Sequence, residues 1–166
     1  MLTQKALQQT ITELFFPKEK GKHVFVWGDV DTSQRSKNLT SGTVCYVSID
    51  RIENKGLPRM KGSMYLKDCI AYVSLRFVGV DSFKYAEQAS FLVQNRKASK
   101  LFRELGAEVL AVTGVSSIPF VLGETNITYC QMVNIRLFYT MSIETDADKL
   151  SNAVISGGIK VETPTR

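Results

Sequence analysis

Two long segments of the chain alternate apolar and polar residues, which is the pattern of half-buried β-strands. In residues 65–78 the alternation predicts one strand of about fourteen residues. In residues 127–145 the apolar side chains from Ile127 to Ile143 share one face, and Gln131 interrupts it. Both segments exceed the usual strand length of about five or six residues. The sequence therefore predicts strands that twist strongly, bulge or project from the body of the domain.

Shorter patterns predict the elements before and between these strands. Residues 2–15 place apolar side chains on one helical face, with Thr3 as a possible cap. Residues 23–27 and 43–54 are typical of strands. The polar segment 28–42 is rich in turn formers and predicts a long loop. Residues 55–63 contain two glycines and a proline, so we expect a turn or loop there as well.

The period changes from strand to helix just after residue 78. Gly79 ends the strand, and Asp81 or Ser82 is expected to cap the next helix with its side chain. The buried stripe of this helix is predicted from the 3.6-residue period. It consists of Phe83, Ala86, Ser90 and Val93, widened by Tyr85, Ala89 and Leu92. A second helical piece, 95–106, ends at Gly106 and buries Leu101, Phe102 and Leu105.

The order of the elements predicts an α+β fold. Its sheet is mixed but mainly antiparallel, with long strands packed by helices on one face. We expect residues 1–166 to form a single domain, since this length suits one hydrophobic core. The polar loop 28–42 and a flexible C-terminal tail at about 162–166 complete the prediction.

Composition adds little chemistry to this outline. The chain is 44% hydrophobic and 22% charged, as in an ordinary globular protein. No apolar run approaches the roughly 20 residues of a membrane span. The N-terminus lacks the pattern of a secretion signal. Three widely spaced cysteines favour free thiols over a disulfide framework or a zinc site.

Candidate catalytic and ligand-binding patterns are weak. His23 begins an apolar strand, where a structural histidine is favoured over a general base. The GDVD segment, 28–31, lacks the ligand spacing of a calcium loop, so a polar turn is favoured. Cys130 lies in the middle of a strand and is expected to be a buried hydrophobe. We therefore predict no enzyme activity, catalytic residue, cofactor or metal.

The positive charge leaves a nucleic-acid hypothesis open. Lysine and arginine number 21 against 16 acidic residues, a net charge of +5. The nearest approach to a cluster is RKASKLFR, 96–103, whose cations could contact phosphate groups. These cations are Arg96, Lys97, Lys100 and Arg103. The alternative is a solvated outer helix face with Leu101 and Phe102 packed inward.

A resemblance to a known family rests on the order of these elements. The segment VSLRFVGVDSFKYAEQASFLV, with Gly79 and Asp81 joining strand to helix, resembles the neck or tail terminator proteins of tailed bacteriophages. The later ITYCQMVNIRLFYTM resembles the long second strand of that family, and DKLSNAVISGGIKVE its closing segment. The resemblance covers roughly residues 1–161.

The resemblance implies a structural protein of the virion neck or tail, assembled in the host cytoplasm. Such subunits form rings, commonly six-fold, that cap the tail tube and join it to the head-neck connector. Expected partners are further copies of the chain, tail-tube and connector proteins, and viral DNA in transit; no membrane contact is expected. Loops 28–42 and 55–63 would supply contacts through Arg35, Lys37, Arg59 and Lys61. The alternatives are a head-completion adaptor or tail-tube subunit of the same machine, or a basic nucleic-acid-binding protein.

Overall fold

The computed structural model describes residues 2–16, 24–26, 42–122 and 126–144. Three helices and a mostly antiparallel sheet are present in these ranges, which confirms the predicted α+β fold with helices on one face. The helices are α1 (Gln4–Phe15), α2 (Ser82–Leu92) and α3 (Arg96–Glu104). The strands are β1 (Val24–Val26), β2 (Val44–Lys61), β3 (Met64–Val78), β4 (Ala107–Val112), β5 (Ser116–Leu122) and β6 (Asn126–Glu144).

The described strands lie in the order β1-β2-β3-β6-β4, and β5 pairs with β6 beside β4. β1 runs parallel to β2, and the other pairs are antiparallel. The two long strands that the sequence predicts, β3 and β6, are neighbours and pair from Met64↔Glu144 to Phe77↔Gln131. Their length therefore sets the length of the whole sheet.

One face of the sheet, here called the helix face, packs against all three helices. Alternate strand residues such as Val47, Val73, Leu75 and Ile135 lie in one buried cluster on this face. The helices contribute apolar side chains to the same cluster, namely Leu7, Ile11, Ala86, Ala89, Ala98 and Phe102. Removing these side chains from water supplies the main driving force for folding.

The helix ends show which capping predictions are right. Thr3 caps α1, because its Oγ1 accepts a hydrogen bond from the Ala6 amide at 3.1 Å. Asp81 occupies the cap position of α2 but makes no cap bond with its side chain. The prediction of a side-chain cap at Asp81 or Ser82 is therefore wrong. Instead, the Asp81 amide donates to Oγ1 of Thr43 at 3.1 Å, which ties the corner to the start of β2.

Gly79 forms the corner between β3 and α2, as predicted. Its φ of 126° lies in the region that disfavours residues with a Cβ. A Cβ at this position would collide with the backbone of Gly42 and Thr43. Glycine is required here both by its dihedral angle and by the close approach of a second chain segment.

The turn or loop predicted at residues 55–63 is confirmed only at its end, where Gly62 and Ser63 form a turn, and is wrong for residues 55–61. β2 continues to Lys61, and the reversal into β3 takes place at Gly62 and Ser63. Gly56 and Pro58, which suggested a loop, fall in a register shift between Lys55 and Arg59, where β2 has more residues than β3. Such a bulge accommodates Gly56, with φ of 65°, without ending the strand.

Candidate functional site

The outer part of the β2–β3 hairpin extends beyond the helical layer. We call it the arm: residues 50–61 of β2, 64–68 of β3 and 140–144 of β6, with the turn at Gly62–Ser63. β3 has 15 residues and spans about 50 Å at roughly 3.3 Å per residue. From Asp50 to Tyr65 every residue is exposed except Glu53, which is half-buried. The arm thus presents strand surface that the described body of the protein does not cover.

The two faces of the arm differ in chemistry because strand side chains alternate. On the helix face, Ile52 pairs with the core residue Ala71, and Met60 pairs with Tyr65. Ile52, Met60 and Tyr65 are 49%, 64% and 36% exposed. Leu57, in the bulge, is 91% exposed. Large apolar side chains gathered on one exposed surface mark an interaction site more often than isolated ones do.

The opposite side of the sheet, here called the polar face, carries basic residues along the arm. The register places Arg51, Lys55, Arg59 and Lys61 opposite Tyr72, Asp68, Leu66 and Met64. Two of these cations have carboxylate partners: Arg59 lies 3.0 Å from Asp68 and Lys55 lies 3.1 Å from Glu53. The Lys55 ammonium, followed by the Tyr72 hydroxyl, lowers the pKa of Glu53. The Arg59–Asp68 and Tyr72–Glu53 bonds link β2 to β3 across this face, whereas Lys55 and Glu53 both lie on β2.

A polar cluster lies on the same face at the base of the arm. Asp50 is the extra residue in a register shift between Ile49 and Arg51, so its carboxylate is redirected over the neighbouring strand. It accepts hydrogen bonds from Ser48, at 2.6 Å, and from Ser74. Nη1 of Arg76 donates to Ser48 Oγ at 2.6 Å, and its Nη2 lies 3.5 Å from Asp50.

The cluster opens into a cleft of about 600 Å³ on the polar face. Arg51 and Arg136 line the cleft with Tyr72, and the Arg51 guanidinium lies 4.1 Å from the centre of the Tyr72 ring. Guanidinium groups bind carboxylate and phosphate groups through paired hydrogen bonds. The cleft therefore has the charge to hold an anionic group, and Asp50, Ser74 and Arg76 of the polar cluster also line it.

The predicted contact residues divide between two regions. Arg59 and Lys61 lie on the arm, where both are exposed, but in a strand rather than in the predicted loop. Arg35 and Lys37, with residues 28–41 of the predicted loop, lie outside the described residues. The structure thus brings Arg59 and Lys61 together near the tip of the arm.

The four cations predicted as weak nucleic-acid contacts all lie on the exposed side of α3. Arg96, Lys97, Lys100 and Arg103 are exposed, while Ala98, Leu101 and Phe102 are buried. Two of the cations have contacts within the chain. Lys97 Nζ donates to the Glu13 carbonyl at 3.3 Å, near the end of α1, and Arg103 lies 4.0 Å from Glu108. This geometry fits a solvated helix face and also leaves a basic surface accessible.

Other chemical candidates do not form a site. Cys45 and Cys130 are buried, and desolvation raises both pKa values, that of Cys130 to about 11. Among the residues described, no three potential ligands are grouped for a metal ion. His23 and the GDVD segment lie outside the described residues. None of the described helices is long and apolar enough to cross a lipid bilayer.

Sequence reasoning missed the exposed apolar residues. Phe83 is predicted to be buried, but it is 55% exposed, and Phe91 is 77% exposed. The buried stripe of α2 is offset from the predicted one, because Ser82 and not Phe83 lies against the body. On the arm, residues 51–55 and 59–61 alternate as strand residues do, but Gly56 and Pro58 between them obscure this pattern. Searches with protein-family models and among curated proteins found no match for this chain.

Proposed function

We propose that the protein is a ring-forming structural subunit of a phage neck or tail, in the manner of a tail terminator. The observation that carries the proposal is the arm. It extends a long sheet beyond its helical layer and carries apolar side chains on one face and basic side chains on the other. A strand surface of this kind needs a neighbour, because a ribbon of two or three strands gains little stability in water alone.

The body of the fold suits a repeated, closed assembly. Each copy offers a projecting arm at one end of β3 and a helical layer toward the other, and on this proposal the arm of one copy contacts the helical layer of another, so the contact joins unlike surfaces. Contacts of this type generate rings when the rotation closes, and open filaments when it does not. On this proposal, subunits assemble by surface complementarity, and the ring leaves a central passage for DNA.

The outer edge of β2 disfavours pairing with a strand of another molecule. Past Val47, which pairs with β1, this edge carries two register shifts, one proline and several charged residues. These features discourage the addition of another strand. The proposed contact therefore uses the faces of the arm and not its hydrogen-bonding edge.

Negative-stain electron microscopy of the purified protein at high concentration tests the proposal. Rings with a central opening are expected, and the protein should copurify with tails or necks from disrupted virions. Copurification with capsids instead would favour the head-completion adaptor. Stacked tubes would favour a tail-tube subunit. A protein that stays monomeric and is absent from purified virions would contradict every assembly function.

A nucleic-acid-binding function is a second candidate, favoured by the four exposed cations on α3. Electrostatic binding to phosphate groups weakens steeply as salt rises. Retention of DNA at low salt, lost when Arg96, Lys97, Lys100 and Arg103 are all changed to glutamine, would support it. No retention by the unchanged protein at low salt would remove it. Changing Lys55, Arg59 and Lys61 to glutamine provides the control for general loss of positive charge.

A further inference from the structure

The helix face of the sheet is longer than the helices that cover it. Cys69 and Ala71 mark the end of the buried region on β3. On the same face, Ile52 is exposed beside Ala71, and Met60 and Tyr65 are exposed farther along, with Lys67 between Cys69 and Tyr65 by the alternation of β3. The arm therefore continues the apolar surface of the body, but without a helix on it.

The outer side of α2 carries a complementary surface. Phe83, Glu87 and Phe91 follow one another at intervals of four residues and are all exposed, so they form one stripe along the helix. Phe83 and Phe91 are 55% and 77% exposed. We call these three residues the α2 stripe. It is apolar at both ends and negatively charged at its centre.

These two surfaces cannot meet within one chain. α2 starts after Val78, at the end of β3 opposite the hairpin turn. Its 11 residues extend about 16 Å at 1.5 Å per residue, against about 50 Å for β3. Its buried side holds Ala86 and Ala89 against the sheet, so the α2 stripe faces away from the sheet. A contact between the stripe and the arm has to be made by two molecules.

We propose that the α2 stripe of one subunit packs on the helix face of the arm of a second copy of this chain. This inference rests on the self-assembly proposed above and names the two surfaces that form its interface. A helix on an apolar sheet face repeats the layer arrangement of the body itself. Glu87 lies between the two phenylalanines of the stripe and Lys67 lies between Cys69 and Tyr65 on the helix face of the arm, so each surface carries a charge opposite to that of the other. Because the two surfaces differ, the contact is heterologous and leaves each subunit free to bind two neighbours.

Mixing two defective variants tests this pairing. Met60→Asp damages the arm and leaves the α2 stripe intact, whereas Phe91→Asp does the reverse. Light scattering after size exclusion should show that each variant alone is monomeric. An equimolar mixture should give one-to-one dimers and nothing larger, because it contains one intact arm and one intact stripe per pair. An arm-to-arm contact would instead leave Phe91→Asp fully assembled and the mixture without new dimers.

Reversing the charges provides a test that needs no large change in shape. Lys67→Glu and Glu87→Lys should each weaken assembly at least tenfold, and the double variant should recover most of that loss. Leu110→Asp is the control: it introduces a carboxylate at a 50% exposed apolar position on β4, outside both surfaces, and should leave assembly unchanged. Circular dichroism should confirm that each variant is folded.

The outcomes separate this inference from the function on which it rests. Wild-type rings that persist with Met60→Asp and Phe91→Asp, or fail to respond to the charge reversals, would overturn the pairing alone. A wild-type protein that remains monomeric at every concentration would overturn both the pairing and the proposed ring.

Discussion

The same strands pass through two different environments in this protein, and the contrast between them suggests where function lies. In the body, Leu75 and Val73 of β3 are buried under the helices. In the arm, Tyr65 on the same face of the same strand is 36% exposed, and Met60 beside it is 64% exposed. Both regions show strand alternation, but only the body is covered by helices. Alternation therefore specifies a sheet with an apolar face, and the length of the helical layer decides how much of that face is left for a neighbour.

Truncation of apolar side chains should show the largest difference between the two regions. Leu75→Ala removes a fully buried side chain and leaves a cavity, so it should lower the free energy of unfolding by about 2–5 kcal/mol. Met60→Ala should change it by no more than about 0.5 kcal/mol in the monomer, because its side chain is already exposed. Denaturant unfolding at low protein concentration measures both. Equal losses would contradict the division into body and arm.

Glycine substitutions should show the next largest effect. Gly79→Ala combines a positive φ with a collision against the Gly42 backbone, so it should cost more than about 2 kcal/mol. Gly56→Ala in the arm also has a positive φ, but no atom lies within 4 Å of the added Cβ. It should cost only about 1–2 kcal/mol. Thermal unfolding of the two variants compares them, and a larger loss for Gly56→Ala would contradict the role given to the corner.

Removing an arginine side chain should give a smaller difference in stability between the body and the arm. The Arg76 side chain is 17% exposed and donates to Ser48, so Arg76→Met should cost about 2 kcal/mol. The Arg59 side chain is 61% exposed and paired with Asp68 in the arm, so Arg59→Met should cost less than about 1 kcal/mol. Added salt should reduce the difference between wild type and the Arg59 variant. Similar losses at the two positions would show that the arm holds its ion pair as rigidly as the body does.

The two buried thiols should make the stability of the protein depend on pH in the alkaline range. Burial raises the pKa of Cys130 from 9.0 to about 11 and also raises that of Cys45. Between these values the unfolded chain loses the proton while the folded protein keeps it, so stability should fall as pH rises above about 9. The double variant Cys45→Ala, Cys130→Ala should flatten this decline. Unfolding measured from pH 7 to pH 10.5 tests it, and an equally steep decline in the double variant would contradict it.

Much of the fold follows from sequence patterns that act over short distances. The strand predicted at 65–78 is found at Met64–Val78, and Gly79 forms the expected corner. The sequence predicts that long strands bulge or project, but not that β2 continues through residues 55–61, because Gly56, Pro58 and Gly62 together indicate a loop, whereas the bulge absorbs Gly56 and Pro58 within β2. An edge strand can tolerate a proline because its outward N–H groups have no partner to lose.

The candidate site was harder to predict, for a physical reason. A large apolar residue such as Phe83 is ordinarily expected to be buried, and nothing in the helical period distinguishes it from Ser82 as the inward residue. Its exposure depends on how α2 lies against the sheet. Likewise, the clustering of Asp50 with Ser74 and Arg76 requires a register that residues far apart in sequence decide together. The sequence identifies Arg59 and Lys61 as contact residues but does not place them on a strand whose two faces differ in chemistry.

Hydrogen exchange at two protein concentrations tests the central claim, that the arm is covered by a neighbour, most directly. In the dilute monomer, amides of residues 50–61 should exchange much faster than those of residues 71–77. At concentrations where rings form, residues 50–61 and 82–91 should become protected together, while residues 71–77 stay unchanged. Arm protection that is the same at both concentrations, or that rises without any change in residues 82–91, would contradict the account.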